Sequence, residues 1–453
     1  MNAASLFRDA ARAHPERVAF FEGREAITFG ALWERVARKA ERFRAGDRAL
    51  LMLPMSVELY VALLAVLHAN AGAVFVDPWV GTRRMIQLAR FARPSHWIGT
   101  WKSQLLRLAV ILSAAKDLLT RHREDPSPSA RLRMTPSDAA LITFTTGSSG
   151  TPKSVNRTHR ILIAQHERLA EAFPPNDGDV DLCTFPIFAL NNLALGVTTV
   201  IPPIDLKRID AADPRKVAAI AKARGVNTAT ASPPLFDKLA RVDDRPPFRR
   251  ILTGGAPVTD AQLRAWIAAW PEAEIVVAYG SSEAEPVAHI EARERLAAGG
   301  RGYLAGRIVN GVRAKLDLID DTVGELLVAG DHVAHVEGDD GEWHRMGDTG
   351  WFDGEGRFRI AGRVHSTIRR HGVAVHAQLV EQAARADDPR IRRAAALGIG
   401  GRVVVVVESD EDVANDVRAR VDADDVIVTS EPLPLDPRHN SKIDYAKLRE
   451  RLS

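Results

Sequence analysis

The apolar positions of this chain switch repeatedly between helical spacing and short continuous runs. Residues 5–14 carry apolar side chains near helical spacing, and 17–21 followed by 27–29 read as a pair of strands. Residues 30–43 return to helical spacing, with Leu32, Val36 and Ala40 on one face. A strand at 48–52, a helix at 56–70 and a strand at 73–76 follow, and Asp77-Pro78 turns the chain. Residues 82–93 form another helix and 97–99 another short strand. The rhythm then resumes with strands at 141–144, 228–230, 250–253 and 275–279, and helices at 160–172, 214–224 and 235–240. Alternating strands and helices imply an α/β fold: a mostly parallel sheet wrapped by helices.

Three stretches depart from this rhythm. Residues 59–76, LYVALLAVLHANAGAVFV, are apolar for long enough to raise the question of a membrane span. His68 and Asn70 lie inside the run and Ala71-Gly72-Ala73 divides it. A buried helix running into a core strand is therefore expected, with no transmembrane segment. Residues 106–134 lack a strand pattern, and their second half is polar and proline-containing. An inserted or substituted segment and an ordinary helix plus loop both fit. Residues 181–201, DLCTFPIFALNNLALGVTTVI, are apolar and punctuated by Pro186, Asn191-Asn192 and Gly196. Phe185, Phe188 and Leu190 either line an acyl pocket or simply fill core.

At 453 residues the chain can bury more than one core, so two or three domains are expected. The 61 basic residues nearly cancel the 58 acidic ones, which gives no support for a nucleic-acid partner. Cys183 is the only cysteine. An intrachain disulfide is impossible, a cytoplasmic location is expected, and the side chain reads as a small buried one. Residues 2–16 are polar and charged, unlike a secretory leader.

The chemistry concentrates in 141–159, LITFTTGSSGTPKSVNRTH. A buried strand feeds Thr145, Thr146, Gly147, Ser148, Ser149, Gly150 and Thr151. Glycines let backbone N–H groups turn inward, and small hydroxyls add donors without filling space, so such a loop can cradle a polyphosphate. Lys153 adds a positive charge. Pro152 stands where a Walker A loop needs glycine, and the stretch does not fit GxGxxG either.

TTGSSGTPKSV resembles the phosphate-loop signature of adenylate-forming enzymes: acyl-CoA synthetases, adenylation domains of peptide synthetases, and luciferases. Further motifs follow in that family's order. The resemblance implies that Gly254-Gly255-Ala256-Pro257 and the tyrosine of Tyr279-Gly280-Ser281-Ser282-Glu283 sandwich adenine, and that Glu283 helps hold Mg²⁺, with Glu285 as its competitor. Aromatic stacking on a purine and a hard carboxylate oxygen for Mg²⁺ suit those roles. Asp348, in GDTG, can accept from both ribose hydroxyls, and Arg363 can reach ribose or phosphate. Lys442 matches a lysine that in the family swings in to bridge carboxylate and α-phosphate oxygens, although Ser441 replaces the usual glycine. Lys442, Glu283 and Thr146 are thus the expected catalytic residues, and ATP and Mg²⁺ the expected cofactors.

The resemblance further implies a large domain, 1–362, with a small β-rich subdomain around 324–328, and a mobile α+β lid, 363–453. At the hinge His365 stands where the family has Asp or Lys. The continuation after His371-Gly372 departs from the family pattern at 376–379. Residues 182–202 and the ending LDPRHNSKID resemble a narrower branch, the β-lactone synthetases of long-chain olefin biosynthesis. That branch implies a long-chain β-hydroxy acid as substrate and enzymes of the same pathway as partners. An acyl-CoA ligase and a nucleotide-binding relic without turnover are the alternatives.

Overall fold

The computed structural model describes residues 1–76, 82–99, 105–110, 139–146, 152–206, 208–334, 336, 339, 341–435 and 443–452, with backbone alone at 84, 145, 146, 152, 153 and 210. The chain forms two units, residues 1–203 with 331–342 and residues 204–330 with 343–453.

In the first unit a five-stranded sheet runs in the order His96–Gly99, Arg48–Met52, Gly72–Phe75, Ala139–Thr146, Pro152–Thr158. Its pairs are parallel except the last, which is antiparallel. Val180–Cys183, Thr198–Ile201 and Val18–Glu22 form a second parallel set, which Glu25–Thr28 extends antiparallel. The helix Val57–His68 is capped by Ser56 and buries Leu59 through Leu67 without interruption. A helix covered on every side needs no polar face, so its sequence shows no amphipathic stripe. It leads, through Asn70 at a φ of 54°, into the strand Gly72–Phe75. Among the described residues no helix is long and apolar enough to cross a membrane.

Two readings of the sequence are refined here. The run 181–201 divides into a strand, the helix Pro186–Ala194 and a second strand parallel to the first. Proline opens that helix at its first turn, where the missing N–H costs nothing. The strand expected at 141–144 extends to Ala139–Thr146, so Thr145 and Thr146 belong to it and pair with Lys153 and Pro152. Of residues 106–134, only the helical 106–110 lie within the described residues.

In the second unit Thr228–Ala231, Arg250–Gly254 and Glu274–Tyr279 are parallel neighbours. Beyond them the sheet turns antiparallel: Ala288–Glu291, Tyr303–Ile308, Arg357–Arg363, His344–Phe352, Gly324–Ala329 and Arg313–Leu318. Then come the hairpin of Thr367–Arg370 with Val373–His376, and a separate sheet of Arg393–Ile399, Arg402–Glu408 and Asp425–Thr429. Successive strand residues point to opposite faces. Ala394, Ala396, Val403, Val405 and Val407 accordingly pack in one cluster, and Ala395, Leu397, Val404 and Val406 in another with Leu433 and Leu448. Helices Ala377–Arg385, Ala414–Arg420 and Tyr445–Leu452 cover this sheet.

Candidate active site

Gly254 and Ala278 are register partners on parallel strands. Gly-Gly-Ala-Pro and Tyr279-Gly280 therefore leave the sheet side by side at its carboxyl edge, where open α/β sheets take their ligands. A Cβ on Gly254 would lie 2.5 Å from the Ala278 carbonyl oxygen, so only glycine fits. Gly255 follows at a φ of +73°, exposed, with nothing over it. Past Tyr279 the chain closes a tight turn: Ser281 N donates to Ala284 O at 2.8 Å and Ala284 N to Ser281 O at 3.1 Å. The Ser281 hydroxyl accepts from Glu283 N at 3.2 Å.

Asp348 lies within the strand His344–Phe352, opposite Arg363 on Arg357–Arg363. Its carboxylate is buried and held from two directions. The Tyr279 hydroxyl donates to Oδ2 at 2.8 Å, and Arg363 Nη1 donates to Oδ1 at 2.7 Å. The Tyr279 ring packs on Phe358 at 5.8 Å between centroids. Burial, and then the charge of Asp348, push the Tyr279 hydroxyl well above its ordinary range, so it stays a neutral donor. For Arg363, burial works against the charge, but Asp348 outweighs it and the guanidinium is raised, with Glu283 adding to the effect. Burial, and then Arg363, hold the His365 imidazole below its usual value.

Each Asp348 oxygen keeps a second acceptor site. A pair of neighbouring hydroxyls, as on a ribose, suits a carboxylate already oriented in this way. No group of three or more His, Cys, Asp or Glu that could hold a metal occurs among the described residues. Glu283 offers one hard carboxylate, which suits Mg²⁺ shared with substrate phosphates.

In the first unit Phe188 lies 5.9 Å from Phe185 and 6.4 Å from Phe173, centroid to centroid. The helix that carries it is tied along its length. Tyr60 donates to the Pro186 carbonyl at 3.1 Å, His166 Nδ1 meets Asn191 Oδ1 at 2.8 Å, and Asn192 donates to Asp181 at 2.8 Å. Leu190 stands two residues after Phe188 on the same helix. It lines a cavity of about 20 Å³ with Leu6, Phe7, Leu67 and Ile187. Two residues apart on a helix are not on one face. Cys183 is buried and its thiol is pushed up by burial, in keeping with a packing role. Gly147, Ser148, Ser149, Gly150, Thr151 and Lys442 lie outside the described residues, as do the side chains of Thr145, Thr146 and Lys153. The Tyr279–Asp348 bond and the part of Phe173 were not visible in the sequence, where nothing marks a contact across 69 positions.

A carboxylate held between a phenol and a guanidinium beside the carboxyl edge of parallel strands suits a ligand with paired hydroxyls. Solved structures carry the same fold: an amide bond synthetase, McbA, from Marinactinospora thermotolerans has a TM-score of 0.79 at 20% identity, covering 100% of both chains. ATP-bound MatB from Rhodopseudomonas palustris has a TM-score of 0.80 at 19% identity, covering 100% of this chain and 99% of its own. A profile of the AMP-binding enzyme family matches residues 7–336, and the chain belongs to that family. It is an adenylate-forming enzyme. Among its relatives is an olefin beta-lactone synthetase from Xanthomonas campestris pv. campestris, 32% identical over 89% of this chain and 86% of that protein. The protein of that name from Stenotrophomonas maltophilia is 30% identical with the same coverage.

Proposed function

We propose that this enzyme activates a long-chain β-hydroxy acid with ATP and Mg²⁺, then closes it to a β-lactone. The carboxylate attacks the α-phosphorus, pyrophosphate leaves, and an acyl-adenylate remains. The substrate's own β-hydroxyl oxygen then bonds to the acyl carbon, the bond from that carbon to the phosphate oxygen breaks, and AMP and a proton leave. The observation that carries this reading is the likeness to two olefin beta-lactone synthetases over most of both lengths.

No protein nucleophile is needed. Two anions must meet, so the protein's work is positioning and charge neutralisation. In this reading Asp348 and Arg363 hold the ribose, and Tyr279 and residues 254–257 the adenine. Residues 145–151 and Lys153 take the phosphates, and Glu283 the metal. Residues 363–453 act as the lid that brings Lys442 to the reacting oxygens, and Phe185 and Phe188 form one wall of the acyl site.

The test supplies the protein with ATP, Mg²⁺ and a long-chain β-hydroxy acid. AMP, pyrophosphate and a lactone are expected without coenzyme A. A thioester formed only when coenzyme A is added would instead make the enzyme a ligase, and nucleotide binding without pyrophosphate release would make it a relic. Lys442→Ala is expected to slow pyrophosphate release by roughly 10²–10³, as when one transition-state donor is lost.

A further inference from the structure

Residues 254–257, read as the adenine wall, are held at their two ends. Gly254 closes the strand Arg250–Gly254 hard against the Ala278 carbonyl. Gly255 then stands at a φ of +73° with nothing over it, and Ala256 and Pro257 make no hydrogen bond among the described residues. Val258, which is buried, comes next, and Thr259 caps the helix Asp260–Ala269 in a capping box with Gln262. The far end of the wall is therefore placed by whatever fixes Val258.

Arg295 does this. It lies on the helix Ala292–Ala298 and is only 5% exposed. Its Nη2 donates to the Val258 carbonyl at 2.5 Å and to Asp260 Oδ1 at 3.1 Å. The Tyr303 ring backs the guanidinium, its centroid 5.6 Å from the guanidinium carbon, and the Tyr303 hydroxyl accepts in turn from Arg385. Burying a guanidinium is costly, and apolar side chains in place of a buried ion pair often leave a protein as stable or more so. Stability alone is thus a weak reason for an arginine here. What it supplies is a planar, preorganised set of donors, able to hold a main-chain carbonyl and a carboxylate together. Val258 and Asp260 are thereby fixed on either side of the cap residue Thr259.

We propose that Arg295 is a positioning residue for adenine recognition, holding the wall in place at Val258, and that Tyr303 acts through it. This rests on the reading of residues 254–257 as the adenine wall. Arg295 and Tyr303 touch neither nucleotide nor acid in this account and act only through the wall.

The test reads ATP affinity of the full chain by calorimetry, and kcat and KM for a long-chain β-hydroxy acid by pyrophosphate release. Arg295→Met keeps an unbranched side chain but loses every donor. It is expected to weaken ATP binding by about tenfold, the worth of a charge-assisted hydrogen bond, with kcat at saturating ATP and KM for the acid little changed. Tyr303→Leu is expected to weaken ATP binding about threefold, and no further in an Arg295→Met background. Arg295→Lys, which retains a donor, is expected to recover part of the loss. Circular dichroism follows the folding of each variant, and if Arg295→Met does not fold, Tyr303→Leu and Arg295→Lys carry the test. Unchanged ATP affinity in the folded variants, or a KM for the acid that rises as much, overturns the inference. Ala256→Trp, in the wall itself, separates that result from a failure of the reading beneath it. It is expected to weaken ATP binding, and unchanged affinity there overturns the adenine wall and the inference together.

Discussion

An unpaired carboxylate as buried as Asp348 would be strongly destabilising, and one that has lost its partner typically costs about 3–5 kcal/mol. Here Tyr279 and Arg363 each supply a donor, so the charge is kept inside and kept oriented. Asp348→Asn retains an acceptor oxygen but removes the charge that holds Arg363 in place. The expected result is a rise in KM for ATP of about tenfold or more, the worth of a charge-assisted hydrogen bond, with KM for the acid little changed. Pyrophosphate release against each substrate concentration measures both. Asp348 and Arg363 were legible as motif residues. Their mutual bond was not, because it depends on strand register, and the positive φ of +69° at Gly347 that precedes it has no signature in composition.

Among the elements, the helix Pro186–Ala194 shows how the sequence both reveals and hides. Its boundaries were masked by apolar residues on all sides. A helix buried between a sheet and other helices loses the 3.6-residue contrast that a surface helix displays. The polar residues that interrupt it, Asn191 and Asn192, looked like punctuation but are internal ties to His166 and Asp181. The strand Arg402–Glu408, buried on both faces, instead carries a run of β-branched residues, which favours strand whatever its period. Phe188 and Leu190 belong to opposite sides of their helix, which separates their expected effects. Phe188→Ala should alter which acyl chain lengths are accepted, read as a changed ratio of kcat/KM across a chain-length series. Leu190→Ala should leave that ratio alone and lower stability by about 2–5 kcal/mol, measured by denaturant unfolding.

On the scale of the whole molecule, proton binding by Glu381 links pH to stability. Burial pushes its carboxyl up to about 7, against the pull of Tyr445, the Ala396 N–H and Arg385. The folded chain thus holds this proton more tightly than the unfolded chain does. Its contribution is greatest in acid, falls as pH rises from near 4.5 through about 7, and is level beyond. The loss is on the order of 3 kcal/mol, 1.36 kcal/mol for each unit of difference. Glu381→Gln should flatten that slope and leave the variant the more stable protein at pH 8, as thermal unfolding between pH 5 and 8 would record. Nothing in the sequence distinguishes Glu381 from a solvated helix glutamate, because its burial comes from Tyr445 and a strand that the chain has not yet reached.

The five valines of Val403 through Val407 bear on how the protein is made. Translation delivers them as a sticky tract with no charge to interrupt it, and such a tract left waiting would recruit its like from other nascent chains. Its hairpin partner, Arg393–Ile399, has already emerged, so pairing requires only a short, fast closure. Glu408, claimed by Arg392 and Arg393, ends the tract with a charge. The order of synthesis itself thus shields this aggregation-prone stretch.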